Sequence, residues 1–149
     1  MSKLQKLVLA NSDLLNLCKH LRRSLWLKLL PDTNHHLKPA NDFQNYISPN
    51  NYSLVSQSDR QQIWYDIKRC QNINPHIYKH DLAKRRLYKL LIDFLAIDPS
   101  IVYIQGMDSI AATLFSEFYD RDHLVGPLLK QIYQKYLVKF VNEERQLTF

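Results

Sequence analysis

Two short runs of the chain carry residue types that could do chemistry. In the first, residues 63–70, Ile63, Asp66 and Arg69 recur at intervals of three and Cys70 follows. On a helix Asp66 and Arg69 are one turn apart on the same face, where a carboxylate can fix the direction of a guanidinium. An arginine held in this way is presented rigidly, although the same spacing also makes an ordinary surface ion pair, worth about 0–1 kcal/mol. In the second run, residues 103–108, Tyr103 is followed by Gln105 and by Gly106, one of only two glycines in the chain. A glycine at an element boundary frees the backbone to turn and leaves the neutral amide of Gln105 at the tip. The same residues also fit a plain helix start.

Other groupings lead less far. His76 and His80 are four apart with Cys70 nearby, but zinc needs three or four convergent ligands and no carboxylate completes a known spacing. Pro75 also argues against a helix at the start of that segment. The His35-His36 pair falls in a polar connection and is expected to face solvent. Neither Cys18, inside an apolar helical stretch, nor Cys70 has a recognisable base beside it, so nucleophilic catalysis has no support. A glycine-rich phosphate loop, a G-x-S-x-G nucleophile turn and an H-E-x-x-H zinc motif are all absent. The chain is therefore expected to have no nucleotide or metal site of its own.

The elements that must position these residues are helical. With 149 residues, 46% hydrophobic and 23% charged, the composition is that of a soluble globular domain. Two glycines stand where average usage would give about ten, which excludes barrels rich in glycine turns. No apolar run approaches the roughly 20 residues of a membrane span, and no secretory leader is recognisable. Two cysteines make no disulfide framework, so a reducing cytosol is the expected compartment. The net charge of +6 is concentrated in residues 1–30, which hold six basic residues against Asp13. That segment fits either the solvated side of an amphipathic helix or a patch attracted to an anionic partner. No base-reading motif accompanies it, so nucleic acid is not expected as a partner.

Apolar residues recur at helical spacing nearly everywhere that Pro and Asn do not interrupt, so the fold class is all-α. Leu21, Leu25, Trp26 and Leu29 belong to a first apolar face, and Phe43, Tyr46 and Ile47 to a short patch. Residues 48–58 read as a loop, and Ser58 with Gln61 has the spacing of a capping box for the helix that carries Ile63, Trp64 and Ile67 inward. That helix is expected to stop near residues 72–75. Over 81–97 a helix is predicted with Leu87, Leu90, Leu91, Phe94 and Leu95 on its core face and Lys84, Arg85, Lys89 and Asp93 opposite. Gly106 opens the next helix after an extended piece around Val102 and Tyr103. A last helix, about 122–141, is predicted with Leu128, Leu129, Ile132, Tyr136, Leu137 and Phe140 inward, while Tyr133, Tyr136, Leu137 and Phe140 together offer more apolar area than one neighbour covers.

In this order the two chemical runs resemble the TBC domain, the helical module of GTPase-activating proteins for Rab-type small GTPases. Its signature I-x-x-D-x-x-R is matched by Ile63, Asp66 and Arg69, and its Y-x-Q-G-M by Tyr103, Gln105, Gly106 and Met107, with an amphipathic helix between them as in the family. Arg22 and Trp26 resemble the family's R-x-x-x-W element, and residues 99–103 its N-P-x-x-x-Y approach. Two departures stand out: Cys70 where Thr is usual and Asp108 where Asn is common. Both resemble the kinase-like branch of TBC proteins.

The resemblance implies a multi-helix all-α domain over residues 21–149, preceded by a basic helical segment, 1–20. A TBC domain is longer than this, so its C-terminal helices are expected to be missing. It also implies that Arg69 is an arginine finger and Gln105 a glutamine finger, supplied in trans, with Asp66 holding Arg69 while Tyr103 and Gly106 shape the loop. The partner would be a Rab-type GTPase carrying the GTP and Mg²⁺, and the protein would need no cofactor of its own. The implied setting is vesicle trafficking in the cytoplasm, with membrane association at most peripheral and through the partner. A non-catalytic TBC-like binding or scaffold module is the alternative.

Overall fold

The computed structural model describes Lys3, Lys6 and residues 19–29 and 51–147. Cys18, the His35-His36 pair and the patch of Phe43, Tyr46 and Ile47 lie outside the described residues. The chain forms two compact units, Met1–Leu37 and Lys38–Phe149. In the first, α1 (Lys19–Leu29) is an eleven-residue helix with Lys28 in its last turn, where a cation complements the helix dipole.

Among the described residues of the second unit the regular structure is all helical, with no strand. Its order is α2 (Asn51–Leu54), α3 (Gln57–Lys68), a 3₁₀ turn (Cys70–Asn72), α4 (Pro75–Tyr78), α5 (Asp81–Ile97), α6 (Met107–Glu117), a 3₁₀ segment (Tyr119–Leu124), α7 (Val125–Ile132), a π-helical turn (Tyr133–Leu137) and α8 (Val138–Leu147). No helix among the described residues is long and apolar enough to cross a membrane.

The longest helix, α5, is the hub, packing against α2, α3, α4, α6 and α7. Its Leu87, Leu91, Phe94 and Leu95 are buried as their spacing requires. Around them gather Ile63 and Ile67 of α3, Met107, Leu114 and Phe115 of α6, and Val125, Leu128 and Leu129 of α7. Tyr78 is fully buried, and its hydroxyl donates to the Ala112 carbonyl at 2.5 Å, which satisfies the polar end of a ring the core needs for its bulk.

Several expectations change. Residues 51–54 are a turn of helix rather than loop, and this turn packs on α5. Asp93, expected on the solvent face, is consequently 7% exposed, accepting from Lys89 Nζ at 3.1 Å and Asn51 Nδ2 at 3.5 Å. The cap of α3 is Ser56, not Ser58: its Oγ accepts the Asp59 N–H at 3.1 Å, and Asp59 in the first turn suits the positive end of the helix. The helix ends at Lys68, before the 72–75 expected, and tightens into the 3₁₀ turn. Pro75 opens α4 rather than breaking it, since at the first helical position it lacks only an N–H that would be unpaired anyway; Asn74 caps that turn.

The predicted last helix is divided. A π-turn at Tyr133–Leu137 inserts extra backbone and rotates α8 relative to α7. Leu128, Leu129 and Ile132 point inward, whereas Tyr136 and Phe140 are exposed. Tyr133 is buried, and its hydroxyl accepts the Val102 N–H at 3.1 Å.

Cutting Leu91 back to Ala should lower the unfolding free energy by about 2–5 kcal/mol, because it leaves a cavity in the hub helix. Leu82→Ala on the exposed side of the same helix should change it by less than about 0.5 kcal/mol. Urea titration of both variants, followed by far-ultraviolet circular dichroism, checks the contrast; equal losses would mean that α5 does not bury the Leu91 face.

Candidate functional site

Arg69 is the C-cap of α3, so it stands at the last point where helical geometry still fixes a side chain before the backbone tightens. Its guanidinium Nη2 is paired with Asp66 Oδ1 one turn earlier. The two partners differ sharply in environment: the Arg69 side chain is 68% exposed and the Asp66 side chain 2%. A fixed anion below and a cation in solvent above is an arrangement that presents the arginine outward.

Asp66 needs more than one donor to remain charged in the interior. Gln62 Nε2 donates to Oδ1 at 3.0 Å and the Tyr103 hydroxyl to Oδ2 at 2.8 Å. Burial alone would raise the Asp66 pKa, but the bonds from Tyr103, Gln62 and Arg69 outweigh it and hold the carboxyl below the usual carboxylate range. For Tyr103, burial and then its bond to Asp66 push the phenol well above its ordinary value, so it stays a donor.

Gln105 sits in a tight turn. The Met107 N–H donates to the Ile104 carbonyl at 3.0 Å, and Gly106 has φ +96° and ψ −15° while no non-glycine residue among those described has positive φ. These values define a type II turn with Gln105 at its first central position and glycine at the second, where that turn requires it. Gly106 is at the same time the N-cap of α6. Turn and helix start are thus one structure, and Gln105 is exposed at its corner.

The fold brings both runs to one place. Asp66, Arg69, Cys70, Gln105, Gly106 and Asp108 are among the residues lining a single open pocket of about 230 Å³. A larger pocket of about 640 Å³, between Tyr52, Arg60, Trp64 and Tyr88, contains none of them. The two departures Cys70 and Asp108 meet there: Cys70 Sγ lies 3.7 Å from Asp108 Oδ2. Burial first, and then the Asp108 carboxylate beside it, push the Cys70 thiol up to about 12, so it stays protonated and donates. No group of three or more His, Cys, Asp or Glu able to hold a metal is present among the described residues. His76 lies within α4 and His80 beyond its end, as the N-cap of α5.

Sequence reasoning did not single out Gln62 or the bonds made by Asp108. The first was readable: a glutamine four residues before an aspartate on a helix is within hydrogen-bonding reach. The second was not, because the approach of residues 70 and 108 is tertiary.

The family model for the Rab-GTPase-TBC domain matches residues 19–148. No curated protein and no solved structure matches the chain.

A carboxylate whose folded pKa is depressed contributes stability that is fully present above its unfolded pKa and is lost as pH falls through the folded one. Wild-type stability should therefore fall as pH drops below the ordinary carboxylate range, and in Asp66→Asn the fall should be shallower. Urea unfolding at a series of pH values measures the two slopes; identical slopes would show that Asp66 carries no such stabilisation.

Proposed function

The chain belongs to the Rab-GTPase-TBC domain family, whose general role is the activation of Rab GTPases, and from that premise we propose that it accelerates GTP hydrolysis by a Rab-type small GTPase through Arg69 and Gln105. The observation that carries this reading is that one exposed guanidinium and one exposed amide, 36 positions apart by their numbering, line the same pocket on a rigid helical frame.

In GTP hydrolysis the transition state spreads negative charge over the γ-phosphoryl oxygens, and the attacking water must be oriented. A planar, permanently charged guanidinium meets the first need. An amide, which both donates and accepts, meets the second. Asp66 takes one nitrogen of Arg69, leaving the other donors of the fork for a phosphate. An arginine supplied in trans is worth about 10³–10⁵ in rate, or about 4–7 kcal/mol of barrier. The GTP and Mg²⁺ belong to the partner, and the protein works from the cytoplasmic side, reaching endomembranes through that partner.

The test is single-turnover phosphate release from purified GTP-loaded Rab-type GTPases, with binding measured in parallel. Arg69→Ala should abolish nearly all stimulation, a loss of about 10³-fold or more, while leaving the Kd within a few-fold. Arg69→Lys should recover little, since a point charge does not reproduce the fork. Gln105→Ala should lose most of the activity even where the GTPase keeps its own glutamine. Full activity in both alanine variants would overturn the two-finger mechanism, and binding without stimulation by the wild type would favour the non-catalytic module.

A further inference from the structure

Gln105 is flanked by two attachments, and only one of them belongs to the residues assigned above. Two residues before it, Tyr103 bonds to Asp66. Three residues after it stands Asp108, 8% exposed, whose carboxylate faces donors on two different segments. Its Oδ1 accepts the Gly106 N–H at 3.1 Å, and its Oδ2 takes the Ser109 hydroxyl at 3.3 Å and the Cys70 thiol at 3.7 Å. Cys70 is the residue next to Arg69, and its thiol also lies 3.7 Å from the Asp66 carbonyl oxygen.

We propose that Asp108 is a positioning residue: it ties the turn that carries Gln105 to the segment that carries Arg69, with the Cys70 thiol as the far end of the tie. This rests on the two-finger reading. The turn continues directly into α6, and Asp108 joins that junction to the segment carrying Arg69, so that Gln105 is held relative to Arg69 from both sides. The tie suits its chemistry. A carboxylate offers acceptors only, and all three groups facing Asp108 are donors. The raised pKa of Cys70 keeps its proton in place at neutral pH. Two groups that must converge on one phosphoryl group tolerate little displacement, since an error of about 1 Å can cost about 10²-fold in rate.

The kinetic test uses the full chain and a GTPase that it stimulates. Asp108→Ala should reduce the maximal stimulated rate by about 10- to 100-fold while leaving GTPase binding within a few-fold. Asp108→Asn should restore most of the rate, because its amide oxygen can still accept the Gly106 N–H. Cys70→Ala should lose less than Asp108→Ala, and the double variant should be no worse than Asp108→Ala alone, the non-additivity of one shared connection.

Amide hydrogen exchange supplies a readout independent of the GTPase. In Asp108→Ala, exchange should accelerate at Gly106 while amides in the middle of α5 keep their protection. Unchanged protection at Gly106, or full stimulation by Asp108→Ala where Arg69→Ala has none, overturns the positioning role and leaves the fingers standing. Full stimulation by Arg69→Ala, or none by the wild type, overturns the finger reading and the positioning role with it. Parallel loss of binding, rate and α5 protection in Asp108→Ala, without rescue by Asn, assigns Asp108 to the stability of the fold and also overturns the proposal.

Discussion

A charge taken out of water has to be surrounded by donors, and the buried carboxylate of Asp66 places that demand at the centre of this structure. Its two oxygens are met by a residue one turn earlier on α3, a residue at the end of that helix and a phenol from the connection between α5 and α6. A hydrogen bond to a charged group is worth about 1.5–3 kcal/mol, and the bond from Tyr103 holds the connection between α5 and α6 over this carboxylate. The carboxylate also shapes what the surface offers. It consumes one nitrogen of Arg69 and steadies the rest, exchanging part of the guanidinium's bonding capacity for a fixed direction.

The remaining architecture serves to bring the two ends of that connection to the right height. Through α5 the connection is anchored to the core from which it leaves, and through the Tyr133 hydroxyl it is anchored to the segment after α7. Asp98 starts it with a local turn, its Oδ1 accepting the Ser100 N–H at 3.0 Å and the Ser100 hydroxyl at 2.6 Å. Backbone without regular structure is thereby given a partner at its beginning through Ser100, at its middle through Val102 and at its end through Gly106, while the Tyr103 side chain pins it to Asp66. A segment so pinned behaves as part of the frame.

Most of the helical frame was legible because periodicity reports which face of a helix is buried, and Leu87, Leu91, Phe94 and Leu95 obey it. The failures have a common origin. Asp93 is polar, so a pattern of apolar spacing assigns it to solvent; only the packing of α2 over that flank, a tertiary fact, buries it. Ser58 with Gln61 keeps the spacing of a capping box, but the helix begins at Gln57, so Ser58 lies inside its first turn and Ser56 is the cap. Tyr136 and Phe140 keep the spacing of an inward face, but the π-turn changes the rotation there and the spacing no longer applies. At the site, the pairing of Asp66 with Arg69 and the turn at Gly106 could be read from neighbouring residues. The contact of Tyr103 with Asp66 and that of Cys70 with Asp108 join residues far apart in sequence, which local reasoning does not reach.

The constraint at Gly106 is of an unusual kind. A β-carbon built at this position would meet no atom within 4 Å, so the space for a side chain exists. What excludes one is handedness: at φ +96° the side chain of an L-residue collides with its own backbone, while its mirror image does not. The position therefore discriminates chirality rather than size. For any L-residue the cost is one of backbone conformation and not of crowding, so clearing space around the corner that carries Gln105 would not relieve it.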